Sequence, residues 1–302
     1  MFLVNKLGGI RKRKDILFSA VFLSPSMILY TLFIIIPIFM SLYYALTRWN
    51  MVTTPVFIGL DNYIHLFTSD PDFRAVMKNT FIGFFLSLLI EIPFSALFAY
   101  IVYRTKGGFK FFQSVFFMPA VISGAIVGLL YFLFFNSQFG PINALLKAVG
   151  LGFLQQNWLS NKSVVLYSVM MPMLWQMIGY YFIIIFAGFQ SIPYEIIESS
   201  VIDGANSVNV FFRIAIPLNK DVLQVCIILC ATSIFKYFDI PYMMTGGGPG
   251  TQSSFLSLYM FKTAYLAEYF GRGCAIGNIL LALAILTTVI MNFIFSIGEE
   301  RI

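Results

Sequence analysis

The stretch VIDGANSVNVFFRIAIP, Val201–Pro217, interrupts a chain that is otherwise apolar enough to dissolve in lipid. Hydrophobic residues make up 59% of the 302 and charged residues 11%. A soluble domain carries about a quarter charged residues. So little charge cannot cover a water-facing surface, which excludes a soluble enzyme and predicts an integral membrane protein. Inside such a chain, an Asp-Gly turn followed by a short amphipathic run needs a reason.

The flanking residues supply its shape. Pro193 stops one helix and permits another to start at its first turn. Glu195 and Glu198 fall in that opening turn, where the helix dipole favours negative charge. Ile196, Ile197, Val201 and Ile202 form one apolar face, and Asp203-Gly204 is a turn that ends the helix. Val208, Phe211, Phe212 and Ile214 begin a second short helix, which Pro217 closes. The prediction is two short helices at an angle, each too short to cross a bilayer. From the residues alone two readings stand: a loop that caps the bundle, or a knob whose apolar face seats in a partner's groove.

Working outward, six segments approach the roughly 20 apolar residues that a spanning helix needs. They are 16–46, 80–103, 111–135, 164–188, 221–243 and 273–297, an all-α membrane protein with six transmembrane helices. The first is too long for a signal-peptide core and reads as a retained span. Six spans put both termini on one side, and the positive-inside rule selects it. Lys6, Arg11, Lys12, Arg13, Lys14, Arg104, Lys106, Lys110, Arg213, Lys220 and Arg301 gather there. The net charge of +6 is therefore a topology signal and not a nucleic-acid footprint. A basic segment 1–15, a transmembrane domain 16–298 containing the loop 189–217, and a tail 299–302 follow, with both ends and the loop cytoplasmic.

The outward loops carry LDNYIHLF and PINALLKAVG, with apolar residues at helical spacing that suggest short helices resting on the membrane surface. His65, the single histidine, reads as a surface residue. Cys226 and Cys230 lie one helical turn apart, where packing is the expectation rather than a disulfide or a ligand pair; Cys274 lies beside an apolar span.

YEIIESSVIDGANSVNVFFRIAIP resembles the cytoplasmic coupling loop of binding-protein-dependent ABC importer permeases, written E-A-A, three residues, then G. Here it reads Glu198-Ser199-Ser200, then Asp203-Gly204-Ala205. The departure is Ser-Ser for two alanines, small enough to keep close packing. FIGLDNYIHLFTSDPDFRAVMKNT, VFFMPAVISGAIVGLLYFLFF and FKYFDIPYMMTGGGPGTQSSFLSLYMFKTAY are similar to the sugar-importing branch, and together the resemblance covers about 16–298.

The resemblance implies the type I importer permease fold, with cytoplasmic coupling helices, in a bacterial or archaeal inner membrane. It implies four kinds of partner: a second homologous permease, two copies of a cytoplasmic ABC ATPase, an extracytoplasmic solute-binding protein, and a maltose-type or glycerol-phosphate-type substrate. No cofactor of its own is implied; ATP and Mg belong to the ATPases. Glu198, Ser199, Ser200, Asp203, Gly204 and Ala205 would contact the ATPase, with Phe211 and Phe212 anchoring the second helix before Pro217.

Polar residues within spans usually face a cavity or a partner. Trp175, Gln176, Gly179, Tyr180 and Tyr181 in the fourth span combine the aromatic and amide groups that sugars need, as do Ser233, Lys236, Tyr237 and Asp239 in the fifth. Interhelical packing is the alternative for each aromatic, and a pair three residues apart in one helix is the expectation for Lys236 and Asp239. Glu91 pairs across helices or sits near the partner permease. TGGGPG, Thr245–Gly250, lacks the Lys and preceding strand of a phosphate-binding loop. The family reading makes Gly246, Gly247, Gly248 and Pro249 a contact with the binding protein; a flexible connection is the alternative. A stand-alone secondary transporter or channel for a small polar solute would need an ion relay, for which Glu91, Lys236 and Asp239 are the in-membrane groups. An intramembrane enzyme lacks a His-Glu zinc motif or a Ser-Lys dyad.

Overall fold

A computed structural model describes residues 21–105 and 109–299. The basic segment 1–15, positions 16–20 of the first predicted span, Lys106 and the last three residues lie outside the described residues. Among the described residues four helices are long and apolar enough to cross a membrane: α1 (Val21–Tyr44), then Pro71–Arg104, Val165–Gln190 and Phe270–Ser296. Between them, in chain order, lie a two-stranded antiparallel ribbon of β1 (Thr47–Arg48) and β2 (Val56–Phe57), and the short helix α2 (Asp61–Thr68).

The helix α3 (Pro71–Arg104) starts where Asp70 accepts a hydrogen bond from the Phe73 N–H, with Pro71 in its first turn. Its 34 residues extend ~51 Å, well beyond a hydrocarbon core of about 30 Å. Two predicted spans are not single straight helices. The third divides into α4 (Phe109–Val121) and α5 (Gly124–Phe134), bent by 93°. After α6 (Pro141–Ala148) comes α7 (Val165–Gln190), the most enclosed of the long helices.

Then follow α8 (Tyr194–Ile202), α9 (Ser207–Leu218) and α10 (Lys220–Lys236), with a 78° bend between the last two. The fifth predicted span also breaks, since Tyr237 and Phe238 leave helical geometry before α11 (Asp239–Thr245). Helices α12 (Leu256–Phe261) and α13 (Phe270–Glu299) complete the described chain.

Two apolar cores form at opposite ends of α3. One gathers Leu66, Phe73, Val169, Phe255 and Ile276; the other gathers Ala99, Phe182, Phe189, Ile197 and Val210. Between them Glu91 is fully buried, and the Cys230 thiol donates to its Oε2 at 3.2 Å. Cys226, Cys230 and Cys274 are all free thiols. By contrast α1 is apolar all round and buries none of its most hydrophobic window, as expected of a helix left to lipid or to another chain.

Candidate functional site

The elbow at 194–218 is built as the sequence predicts, with three differences. Pro193 caps α8, and Glu195 lies in its first turn, while Glu198 falls in the second turn. The helix ends on Gly204 at φ +85°: its N–H bonds to the Val201 carbonyl at 3.1 Å, and the Ala205 N–H reaches the Ser200 carbonyl at 2.9 Å. That pair of bonds is the left-handed helix stop that glycine favours. Asn206 then caps α9 by accepting the Asn209 N–H at 2.8 Å. The second difference is Pro217, which lies inside α9 instead of closing it. A π-turn over Phe211–Ala215 takes the ladder out of its usual register just before the proline, whose missing donor is thus tolerated. The helix ends instead at Asn219. Its side chain donates to the Ile185 carbonyl at 3.2 Å and lies against Gly188, where a Cβ would be 2.1 Å from Asn219 Oδ1.

The third difference separates the two phenylalanines. Phe211 is 9% exposed and packs on Tyr100 at 4.9 Å between ring centroids, while Phe212 is 63% exposed. Tyr100 also donates to the Ser207 carbonyl at 3.2 Å. One face of the elbow is therefore bolted to α3 and α7. The other presents Ile202, Val208 and Phe212 outward, with Glu198, Ser199, Asp203 and Gly204 exposed and Ser200 and Ala205 half-buried. The hydroxyls of Ser199 and Ser200 bond back to the Ile196 and Ile197 carbonyls, so both serines act as small residues whose polarity is satisfied.

The residues singled out in the fourth and fifth spans divide in two. Gln176 is buried and donates to the Ile122 carbonyl at 2.6 Å, filling the bond lost at the α4–α5 break. Gly179 lets α7 cross α4: a Cβ there would lie 1.8 Å from the Phe116 carbonyl oxygen. Tyr181 is fully buried near Glu91 and Cys230, and the Ser233 hydroxyl donates to the Cys230 carbonyl at 2.8 Å. Tyr237 is half-buried with its hydroxyl enclosed. Gln176 and Gly179 hold helices together, whereas the Ser233 hydroxyl is spent within its own helix and the enclosed Tyr237 hydroxyl has no hydrogen-bond partner among the described residues.

Trp175, Tyr180, Lys236 and Asp239 are exposed on the chain. Trp175 meets Tyr131 at 5.8 Å between rings. Lys236 and Asp239 stand on opposite sides of the α10–α11 break, so they do not share the helix that an i, i+3 pair requires.

The two breaks meet. A Cβ on Gly124 would be 3.3 Å from the Asp239 side chain, and one on Gly128 would be 3.2 Å from the Ile240 Cα. The Tyr237 carbonyl released by the second break accepts from Ser257. Irregular backbone at this depth is tolerated only where protein encloses it or a cavity borders it. The breaks are absent from the hydropathy pattern; Pro119 before Ser123-Gly124, and Pro241 after Asp239, are the signals that could have found them.

At the other end, Thr245–Gly250 is an ordered turn and not a loose connection. Gly246, Gly247 and Gly250 have positive φ, and Gly247 is buried while Gly248 and Pro249 are half-buried. Asn79 Nδ2 lies 3.0–3.2 Å from the carbonyls of Thr251, Gln252 and Ser254, and Thr80 accepts the Leu256 N–H at 3.1 Å. Thr251 donates to Asp72 at 3.0 Å, and Tyr259 donates to Asp70 at 2.7 Å. Burial, and then the bond to Asp70, push the Tyr259 hydroxyl above its ordinary value, so it remains the donor. Asn79, inside α3, and Asn219, at the end of α9, are the anchors that sequence reading missed, because neither asparagine's neighbours in sequence carry a sign of its distant partner.

No family model matches the chain. It is 34% identical over 284 residues to the probable ABC transporter permease protein YurN of Bacillus subtilis, covering 93% of this chain and 96% of that one. It is 30% identical over 287 residues to the multiple sugar-binding transport system permease protein MsmF of Streptococcus mutans, covering 93% and 96%. Its fold is similar to that of a chain in a bacterial ABC transporter involved in import of the acidic polysaccharide alginate. That match has a TM-score of 0.81 at 23% identity, over 96% of this chain and 98% of the other.

Proposed function

The chain belongs to the ABC transporter permease family, and we propose that it forms half of the pathway through which an ATP-driven importer takes up a sugar or oligosaccharide. One observation carries this reading: the elbow is fixed to the bundle on one face and offers Ile202, Val208 and Phe212 on the other. A knob of that kind transmits force only if something grips it, and two copies of a cytoplasmic ATPase, which bind the ATP and Mg, are the grips proposed. Closure of the ATPase pair would move the elbow, and with it α3 and α7, between two packed arrangements. This chain carries no catalytic site of its own in this account.

Six passes follow when 109–134 and 220–245 are each counted as one broken span, with 1–15, the elbow and 299–302 facing the cytoplasm of a bacterial or archaeal inner membrane. Trp175, Tyr180, Lys236 and Asp239, beside the paired breaks, are the groups proposed to meet the sugar, together with a second, homologous permease. The ordered turn Gly246–Pro249 is proposed to receive the binding protein. MsmF is by name a permease of a sugar system, and the alginate importer was solved with a bound periplasmic protein that carries an alginate pentasaccharide; both support the substrate class.

The test uses the exposed elbow. In the assembled importer, Val208→Cys is expected to cross-link to cysteines in the ATPase cleft, with the yield changing on addition of ATP and vanadate. Cross-linking to lipid-facing probes only, indifferent to nucleotide, would make the elbow a mere cap.

A further inference from the structure

The turn Thr245–Gly250 and the elbow lie toward opposite ends of α3, and two routes join them. Along the chain the route is jointed. From Thr245 it runs back through α11, leaves helical geometry at Tyr237 and Phe238, continues along α10, and turns 78° into α9. The other route is α3 itself, one helix of 34 residues that Pro93 does not end.

Helix α3 grips both features. At its outer end Asn79 Nδ2 stands 3.0–3.2 Å from the carbonyls of Thr251, Gln252 and Ser254, which follow the turn. Thr80 accepts the Leu256 N–H at 3.1 Å, and Asp72 accepts from the Thr251 hydroxyl at 3.0 Å. At its inner end Tyr100 donates to the Ser207 carbonyl of the elbow at 3.2 Å, and its ring lies 4.9 Å from that of Phe211. Asn79 and Tyr100 are both buried and stand 21 residues apart, about 31 Å along the helix axis. Midway, the Cys230 thiol of α10 donates to Glu91 of α3 at 3.2 Å, bracing the jointed route against the straight one. A packed helix held at both ends moves as a body, whereas a jointed limb absorbs displacement at its bends.

We propose that α3 is the strut that carries binding-protein docking at the turn to the elbow, with Asn79 and Tyr100 as the positioning residues at its two ends. Neither residue touches sugar or nucleotide in this role; each fixes one end of the strut to the part it must move. Because a binding protein must dock on the turn and an ATPase on the elbow, this role rests on the proposed function.

The test measures ATP hydrolysis by the assembled importer in liposomes, without binding protein and across a range of sugar-loaded binding-protein concentrations. Asn79→Asp keeps the shape of the side chain but puts a carboxylate where three carbonyls need a donor. It is expected to leave basal hydrolysis and the half-saturating binding-protein concentration unchanged, and to lower the maximal stimulation about tenfold. Tyr100→Phe keeps the ring on Phe211 and loses only the bond to Ser207, and is expected to lower the maximum about threefold. The double variant should be no lower than Asn79→Asp alone, because both changes interrupt one linkage. Asn278→Asp is the matched control. That asparagine also makes three bonds between elements, to Ser41 and Tyr63, but none of them to α3, and its stimulation should be that of the unaltered importer. Asp72 is exposed, so Asp72→Ala reports on the outer end, with about a threefold loss, even if Asn79→Asp does not fold. Undiminished maximal stimulation in these α3 variants, a loss recovered by more binding protein, a parallel fall in basal hydrolysis, an equal loss in Asn278→Asp, or multiplied losses in the double variant would each overturn the strut. An unaltered importer that loaded binding protein does not stimulate would instead overturn the proposed function, and the strut with it.

Discussion

Gly204→Val is expected to insert into the membrane normally and to lower ATP-driven uptake about tenfold or more, while Gly204→Asn keeps most of it. The contrast follows from the backbone. A Cβ at Gly204 would touch nothing within 4 Å, so no clash is involved. What matters is φ +85°, which costs an ordinary L-residue about 1–2 kcal/mol and a β-branched one more, whereas asparagine visits it readily. Valine would release the two bonds to Val201 and Ser200 that set the angle between α8 and α9. The spans behind remain packed through Tyr100, Phe211 and Asn219. Membrane fractionation and vesicle uptake measure the two halves of this expectation. Full uptake by the valine variant would remove the bend from the mechanism.

Gly179→Val is expected to destabilise the bundle by about 3 kcal/mol, seen as a large fall in thermal midpoint in detergent. The Phe116 carbonyl oxygen occupies the space a side chain would need, so α4 and α7 must separate. Tyr180→Ala, one residue on but exposed, is expected to raise the half-saturating sugar concentration and leave the midpoint unchanged. The pair separates the packing role of Gly179 from the pathway role proposed for Tyr180. A stable Gly179→Val importer with altered sugar affinity would reverse the assignment.

That division is where the sequence was least readable. The elbow is legible because its signals are local: Pro193 before a helix and Asp203-Gly204 at a left-handed stop. Each acts within a few residues, so spacing alone reveals it. The choice of partner for Gln176 or Tyr181 is not local. A polar residue in an apolar span must face something, but hydropathy is blind to whether that is a sugar or the Ile122 carbonyl 54 positions away. Lys236 and Asp239 illustrate the same limit, since their i, i+3 spacing counts only if the helix continues through Tyr237, and it does not. The broken spans escaped notice because a break changes hydrogen bonding without changing hydrophobicity. From its glycines the loop at Thr245–Gly250 is open between a contact with the binding protein and a flexible connection, and three of them adopt positive φ in a turn whose following residues, Thr251, Gln252 and Ser254, are pinned by Asn79 from far away in the sequence.

In the proposed function this chain couples a motor on one side of the membrane to sugar delivery on the other. Purified with a second permease and an ABC ATPase and sealed into liposomes, it is to be assayed for ATP hydrolysis with empty and with sugar-loaded binding protein. Hydrolysis stimulated by the loaded protein, together with sugar uptake that requires ATP, is the predicted result. Uptake by this chain alone, indifferent to ATP, would contradict it.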